Sequence, residues 1–128
     1  MPNHVKRIIA RYIMNQYDLN PVINIRDNIS YRGRYIPEQD KVMLNGTLEV
    51  YDFVKTTIHE AKHVMDAMKY GRFNFEKKYN QAGTVAANCG NDPYVDNKWE
   101  IRAEKFAERE MKTKWKDLKN GISKEDKE

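Results

Sequence analysis

The sequence predicts a single α+β domain with an N-terminal helix, a small antiparallel sheet and two further helices. Apolar residues recur every three or four positions near both ends and in the middle of the chain, as they do on one face of a helix. Between residues 21 and 44 the spacing shortens to a β-rich pattern interrupted by turn residues. The length, 128 residues, is typical of one domain. We assign residues 1–120 to this domain and expect residues 121–128 to be a polar, frayed tail.

The first helix is predicted over residues 3–17, with Asn3 placed to cap its start. Its apolar stripe consists of Val5, Ile8, Ile9, Tyr12 and Ile13. Strand-like runs follow at residues 22–25, 29–36 and 41–44. Because turn residues separate these runs, we expect an antiparallel sheet of about three strands.

A long second helix is predicted from Thr47, which can cap it, to about Tyr70, where Gly71 ends it. Its buried stripe recurs at steps of three or four and consists of Val50, Val54, Ile58, Ala61, Met65 and Met68. The residues of greatest chemical interest lie in the middle of this helix.

Residues 71–95 lack clear periodicity and are rich in Gly, Asn and Tyr. We expect an irregular loop here, which acts as a lid or cleft wall or else is poorly ordered. A last helix is predicted from Asp96 or Asn97 to about Lys119. Its apolar stripe consists of Trp99, Ala103, Phe106, Ala107, Met111, Trp115 and Leu118.

The composition favours a soluble, cytoplasmic protein. Charged residues make up 33% of the chain, and no apolar run approaches the roughly 20 residues of a membrane span. The amino terminus lacks a secretory pattern, and the single Cys89 cannot close an intrachain disulfide. The net charge is +4, with one denser patch formed by Lys112, Lys114, Lys116 and Lys119. Such a run near a helix end is most often solvated, so neither nucleic acid nor a membrane is favoured as a partner.

The middle of the second helix carries the pattern His59-Glu60-Ala61-Lys62-His63. Residues four apart lie on one helical face, so the two imidazoles can reach one metal ion, predicted to be Zn2+. Glu60 projects about 100° away and is predicted to be the general base acting on a zinc-activated water. If metal binds, Asp66 is expected to accept a hydrogen bond from His63 and orient it. The alternative is that both histidines are ordinary surface residues paired with carboxylates.

A catalytic zinc site needs a third protein ligand, and Glu100 is the candidate. On the last helix it falls within the apolar stripe, where a carboxylate is costly unless it is paired or bound to metal. Glu100 can instead form a capping box with Asn97 at the start of that helix. Glu104, about 40° round the helix, is the reserve candidate.

Tyr79 and Tyr94 are candidates to stabilise the oxyanion that forms when water attacks a carbonyl. Tyrosines in a long loop more often only pack, and this alternative stays open. The lone His4 and Cys89 are more often incidental than metal ligands, so neither is assigned to the site.

Two segments resemble the ImmA/IrrE-like zincin metallopeptidases of bacteria and their mobile elements. One is the HExxH pattern, and the other is Trp99-Glu-Ile-Arg-Ala-Glu-Lys-Phe-Ala107, which is similar to the family's Glu-x-x-Ala-x-x-Phe-Ala segment. The resemblance covers residues 31–107. It implies a minimal zincin-like fold and a gluzincin-like ligand set of His59, His63 and Glu100.

The chain departs from that family pattern at two positions within the matched segments. Lys62 stands where Gly is usual, and Glu104 stands where Asn is usual. The chain also lacks the family's usual Leu-Leu-Met-Pro continuation. These departures bear on the substrate and the subfamily more than on the fold.

Together these patterns predict a zinc-dependent peptidase that acts on a protein or peptide substrate. In zincin folds an extended peptide can add to an edge strand beside the metal, and the candidate strands are residues 31–36 and 41–44. Arg32 and Arg34 also fit an ordinary strand with a solvated outer face. Two other functions stay open: a non-catalytic, metal-containing module that docks to a protein partner, and a basic nucleic-acid-binding domain.

Overall fold

A computed structural model of the chain describes residues 1–127, with side chains as far as residue 123. Its elements are, in chain order, α1 (Asn3–Gln16), β1 (Val22–Arg26), β2 (Gly33–Ile36), a 3-10 turn (Pro37–Gln39), β3 (Lys41–Asn45), α2 (Val50–Tyr70), α3 (Arg72–Asn88) and α4 (Lys98–Lys127). The predicted α+β class is confirmed, as is the order of N-terminal helix, sheet, HExxH helix and C-terminal helix. No helix in the described part of the chain combines the length and apolar composition that a membrane crossing takes.

The sheet is mixed, which corrects the prediction of an antiparallel sheet. Its strand order is β1-β3-β2. β3 pairs antiparallel with β2, with Gly33 opposite Leu44, and parallel with β1, with Val22 opposite Lys41. A short turn joins β2 to β3 as a hairpin, whereas residues 27–32 carry the chain from β1 across to the far edge. The central strand is therefore β3, and β1 and β2 each have one free edge.

The prediction of an irregular loop at residues 71–95 is wrong, because residues 72–88 form α3. Only Phe75 and Ala86 of this helix are buried, so it has no apolar stripe for a sequence pattern to reveal. Gly71 and Gly90 flank it with φ angles of 88° and 79°, a region that favours glycine. A separate, mostly exposed helix thus lies against the core where a loop was expected.

Two of the predicted helix caps are not formed. Thr47 hydrogen-bonds the side chain of Asn45, and α2 begins three residues later. Asn3 is already inside α1, and its side-chain amide donates to Asp27 at 2.9 Å. In both places a polar side chain at or just after the end of a strand competes for the side chain that the cap would use.

The last helix begins where it was predicted but continues further. It runs to Lys127, although the sequence predicts an end near residue 119. Residues 121–127, expected to be a frayed tail, are helical, and Glu128 lies outside the described residues. The apolar stripe continues against the core with Leu118 and Ile122.

The helix α2 is central to the molecule and contacts α1, α3, α4, β2 and β3. Val54, Ile58 and Ala61 of its predicted stripe are fully buried, whereas Met68 is 66% exposed. Glu60 and His63 are buried on the same helix. Polar, ionisable groups therefore lie in the middle of the packed interior, where they need partners.

Lys6 ties α1 to the segment that leads into α2. The residue is only 5% exposed, and its ammonium group donates hydrogen bonds to the carbonyl oxygens of Gly46 and Leu48, the second at 2.9 Å. The same nitrogen lies 5.6 Å from the ring centroid of Phe53. Burial lowers the pKa of Lys6, while the charge of Asp27 partly opposes that shift.

Replacing Lys6 with Met is expected to lower the free energy of unfolding by about 1–3 kcal/mol, because the apolar stem is kept while the buried carbonyl of Gly46 and the half-buried carbonyl of Leu48 lose a charged donor. Urea denaturation measures the change. The control is Arg7→Met, an exposed neighbour whose replacement should stay within about 0.5 kcal/mol. Equal effects of the two substitutions would show that Lys6 does not anchor this segment.

Candidate metal centre

His59 and His63 lie one turn apart on α2, as their spacing predicts. Their rings meet edge to face, with centroids 5.1 Å apart and planes inclined at 75°. The side chain of His63 is 4% exposed and that of His59 is 12% exposed. Both rings are therefore held in the protein interior instead of on its surface.

Glu100, in the first turn of α4, meets both histidines. Its Oε1 lies 2.7 Å from Nε2 of His59 and 2.9 Å from Nε2 of His63. One ligand atom from each of the three residues lies within 4.8 Å of the others, so the group could hold a metal ion. The capping-box alternative is not formed, because Asn97 caps the helix alone by accepting a hydrogen bond from the Trp99 amide at 3.0 Å.

His59 and Glu100 stabilise each other's charged forms. Burial by itself would lower the pKa of His59, but the hydrogen bond to Glu100 and the charge of Glu60 raise it to about 9. Burial by itself would raise the pKa of Glu100, but hydrogen bonds from His59 and His63 hold it well below its usual range. The result is a buried carboxylate beside two imidazoles, which is a favourable setting for a divalent cation.

Glu60 lies next to this group without joining it. The residue is only 3% exposed, and burial raises its pKa above the usual carboxyl range, against the opposing charges of His63 and His59. A side chain added at Gly33 would put its Cβ 3.2 Å from Oε2 of Glu60. Edge strand β2 therefore passes directly against this carboxyl group.

Glu104 lies beside His59 on the opposite side from the candidate metal position. Its Oε2 is 3.0 Å from Nδ1 of His59, and its Oε1 is 2.9 Å from Nζ of Lys55. Glu104 thus contacts the nitrogen that faces away from Glu100, which fixes the orientation of the ring. The residue predicted as a reserve ligand is placed to orient a ligand instead.

Asp66 does not make its expected contact. Its Oδ1 accepts a hydrogen bond from Lys62 at 2.6 Å, while its Oδ2 and the Nδ1 of His63 are both buried and have no partner among the described residues. Lys62 is four residues before Asp66 on the same helix, and this local ion pair competes for the carboxylate. The second imidazole is instead held by packing against Phe75 and Tyr79, at ring-centroid distances of 5.9 and 6.0 Å.

The two candidate tyrosines differ in how free their hydroxyl groups are. Tyr79, on α3, donates its hydroxyl to Oε2 of Glu100. Tyr94 lines the same cleft, is 53% exposed, and its hydroxyl makes no hydrogen bond within the described part of the chain. The pKa of each tyrosine is raised, first by burial and then by Glu100. Stabilisation of an oxyanion stays a prediction, and Tyr94 is the freer donor.

A cleft of about 840 Å³ opens beside the candidate metal centre. Strand β2 and the turn after it form one wall, α3 forms the other, and Glu60, His63 and Glu100 line the interior. Of the two strands predicted to accept a peptide, residues 41–44 are excluded because β3 is paired on both sides. Residues 33–36 form an edge strand beside the cleft.

No protein-family model matches the chain, and neither a curated protein sequence nor a solved structure matches it. The resemblance to the ImmA/IrrE-like peptidases therefore stays a prediction based on residues 59–63 and 99–107.

Sequence reasoning missed two residues that shape the centre. Lys55 lies four residues before His59, so the helical period indicates that both share a face with any carboxylate approaching from α4. Gly33 is an isolated glycine within a strand pattern, which often marks a close backbone approach. Both signals are present in the sequence but are weak without a known partner element.

Replacing Gly33 with Ala is expected to lower the free energy of unfolding by about 1–3 kcal/mol, because the added Cβ overpacks the interface between β2 and α2. It would stand 2.7 Å from Cγ2 of Thr56. The matched control is Gly121→Ala, since a Cβ there meets nothing within 4 Å and helix propensity favours Ala by up to about 1 kcal/mol. Thermal and urea unfolding of both variants measure the difference, and an unchanged stability of Gly33→Ala would contradict the close packing of β2 on α2.

Proposed function

We propose that this protein is a zinc-dependent hydrolase and, more specifically, a peptidase. The observation that carries the proposal is the meeting of His59, His63 and Glu100 around one point, with the carboxyl group of Glu60 buried beside them. The fit of these donors to zinc, the position of Glu60 and the shape of the cleft each support a part of it.

The donor set fits zinc better than the common hard cations. Two imidazole nitrogens and one carboxylate oxygen are a ligand set of catalytic zinc sites, which leave a position for water or substrate. Calcium and magnesium prefer oxygen ligands throughout. His59, His63 and Glu100 would hold the ion, with Glu104 on the far side of the His59 ring. When bound, zinc supplies Lewis-acid chemistry: it polarises a substrate carbonyl and makes a water molecule more acidic.

Glu60 is the proposed general base, which takes the proton from the attacking water. Its side chain is excluded from solvent, and its raised pKa brings it nearer to the range in which a carboxylate can accept a proton and return it. In the proposed reaction Glu60 takes a proton from the attacking water and then passes it to the leaving amine. In the same proposal Tyr94, which lines the cleft, donates a hydrogen bond from its hydroxyl to the developing oxyanion.

An extended peptide is the substrate that the cleft walls suit. Strand β2 has one paired edge and one free edge, so a peptide can add to it through main-chain hydrogen bonds. Arg34 and Glu76 line opposite walls of the cleft and offer both signs of charge to substrate side chains. Glu60 lies against Gly33 on this strand, which brings the added peptide next to the proton acceptor.

Replacing Glu60 with Gln is expected to reduce hydrolysis by about 10²- to 10⁴-fold, because the variant keeps the shape of the site but cannot accept the proton. The assay is cleavage of a mixed peptide library by the zinc-loaded protein, read by mass spectrometry, with bound zinc measured in parallel. Glu108→Gln is the control, since it removes an exposed carboxylate of α4 that does not line the cleft. Cleavage that survives Glu60→Gln would overturn the mechanism, and a zinc-loaded parent protein without any cleavage would favour a docking module.

Replacing Glu104 with Gln is expected to weaken zinc binding by about 10- to 100-fold, because the ring of His59 loses the carboxylate that orients it. Competition with a chromophoric chelator measures the affinity. Glu108→Gln, one turn further along α4 and exposed, removes the same charge and should leave the affinity nearly unchanged. Equal losses in the two variants would mean that only general electrostatics, and not ring orientation, is involved.

A further inference from the structure

A second cleft lies on the other side of α3 from the candidate metal centre. Its volume is about 660 Å³, and it is enclosed by the end of α2, α3 and the start of α4. Three basic side chains line it, Lys78, Lys98 and Arg102, against a single carboxylate, that of Asp96. The Asp96 carboxylate is already engaged, because its Oδ2 accepts a hydrogen bond from the Asp92 amide at 2.7 Å.

The basic side chains of this cleft have no carboxylate partners. None of the ion pairs formed between described side chains includes Lys78, Lys98 or Arg102. They lie over aromatic rings instead. Nζ of Lys98 is 5.5 Å from the ring centroid of Trp99, and Cζ of Arg102 is 5.2 Å from the same centroid. Nζ of Lys78 is 5.9 Å from the ring centroid of Tyr70. Three positive charges thus face one carboxylate in this cleft, and none of the three forms an ion pair with it.

The wall of the cleft also contains an unused hydrogen-bond donor. Trp99 lines the cleft and is 3% exposed, yet its Nε1–H has no acceptor among the described residues. A buried donor without a partner is unusual in a folded protein. Because this N–H is itself buried, it serves as a reporter for a ligand that contacts the Trp99 ring, and the unpaired cations are what indicate an anionic ligand.

Most of the remaining surface of the cleft is apolar, apart from the side chains of Gln81 and Asn91. Ala82, Val85 and Ala86 of α3 form one side, and the ring of Tyr70 faces them from the end of α2. A bare inorganic ion would leave this surface in contact with water, whereas a ligand with an apolar body would cover it.

We propose that this cleft binds a small organic anion, in which a phosphate or carboxylate group is joined to an apolar or aromatic body. The anionic group interacts with Lys98 and Arg102 near the start of α4, where the helix dipole adds partial positive charge. The apolar body lies between Tyr70 and the small residues of α3. The site is separate from the candidate metal centre, and its occupancy does not depend on metal.

The test uses phenyl phosphate as the probe, with inorganic phosphate and benzyl alcohol as half-ligands that carry only the charge or only the ring. Binding is followed by NMR at the indole N–H signal of Trp99, which a Trp115→Phe variant distinguishes from the only other tryptophan. We expect a saturable shift of the Trp99 signal with phenyl phosphate and much weaker effects with either half-ligand. A shift confined to the ring signals of His63 would place the probe in the metal cleft and overturn the proposal.

The double substitution Lys98→Gln and Arg102→Gln is expected to weaken binding of phenyl phosphate by about tenfold or more, the effect of losing at least one charge-assisted hydrogen bond. The matched control is Lys112→Gln with Lys116→Gln, which removes the same charge from exposed positions further along α4. Unchanged affinity in the first variant, or an equal loss in the second, contradicts the assignment.

Cys89 gives a second readout that needs no substitution. It is the only cysteine of the chain, is exposed, and lines this cleft. Phenyl phosphate should slow its alkylation by N-ethylmaleimide, measured by mass spectrometry, with the same concentration dependence as the Trp99 shift. An alkylation rate that stays constant at saturating probe would show that the ligand lies elsewhere.

Discussion

The arrangement of the molecule depends on one buried polar contact, the approach of Glu100 from α4 to the two histidines of α2. An unpaired carboxylate in this position would be strongly destabilising. Both of its oxygens are used, Oε1 by the two imidazoles and Oε2 by the hydroxyl of Tyr79. The contact therefore links α2, α3 and α4 at the floor of the cleft. Structural stability and candidate chemistry share the same side chains.

The helix α3 connects the two clefts of the molecule. Tyr79 and Phe75 face the candidate metal centre, while Ala82 and Val85 line the cationic cleft on the other side. Few of its side chains are buried, and these lie near both ends, with Phe75 close to the start and Ala86 close to the end of the helix. Any displacement of this helix changes the walls of both clefts together.

The sequence predicts the centre well because helical periodicity links positions along one element. It predicts that His59 and His63 share one face of α2, and the carboxylate within the apolar stripe of the last helix identifies Glu100, which the structure brings to both histidines. It does not predict α3, whose exposed surface carries no periodic pattern, nor the mixed sheet, because strand order depends on long-range pairing. It also misses the contacts of Asp66, which pairs with Lys62 instead of orienting His63, and of Glu104, which orients His59 instead of serving as a reserve ligand. A lysine lies beside each carboxylate, and only the fold decides which carboxylate also reaches a histidine.

The most direct test of the account is the position of zinc in crystals of the zinc-loaded protein, located by anomalous diffraction at the zinc absorption edge. The account predicts one strong peak bonded to Nε2 of His59, Nε2 of His63 and a carboxylate oxygen of Glu100, at distances of about 2.0–2.2 Å. A principal peak elsewhere on the molecule, or a Glu100 side chain turned away from both imidazoles, would contradict it.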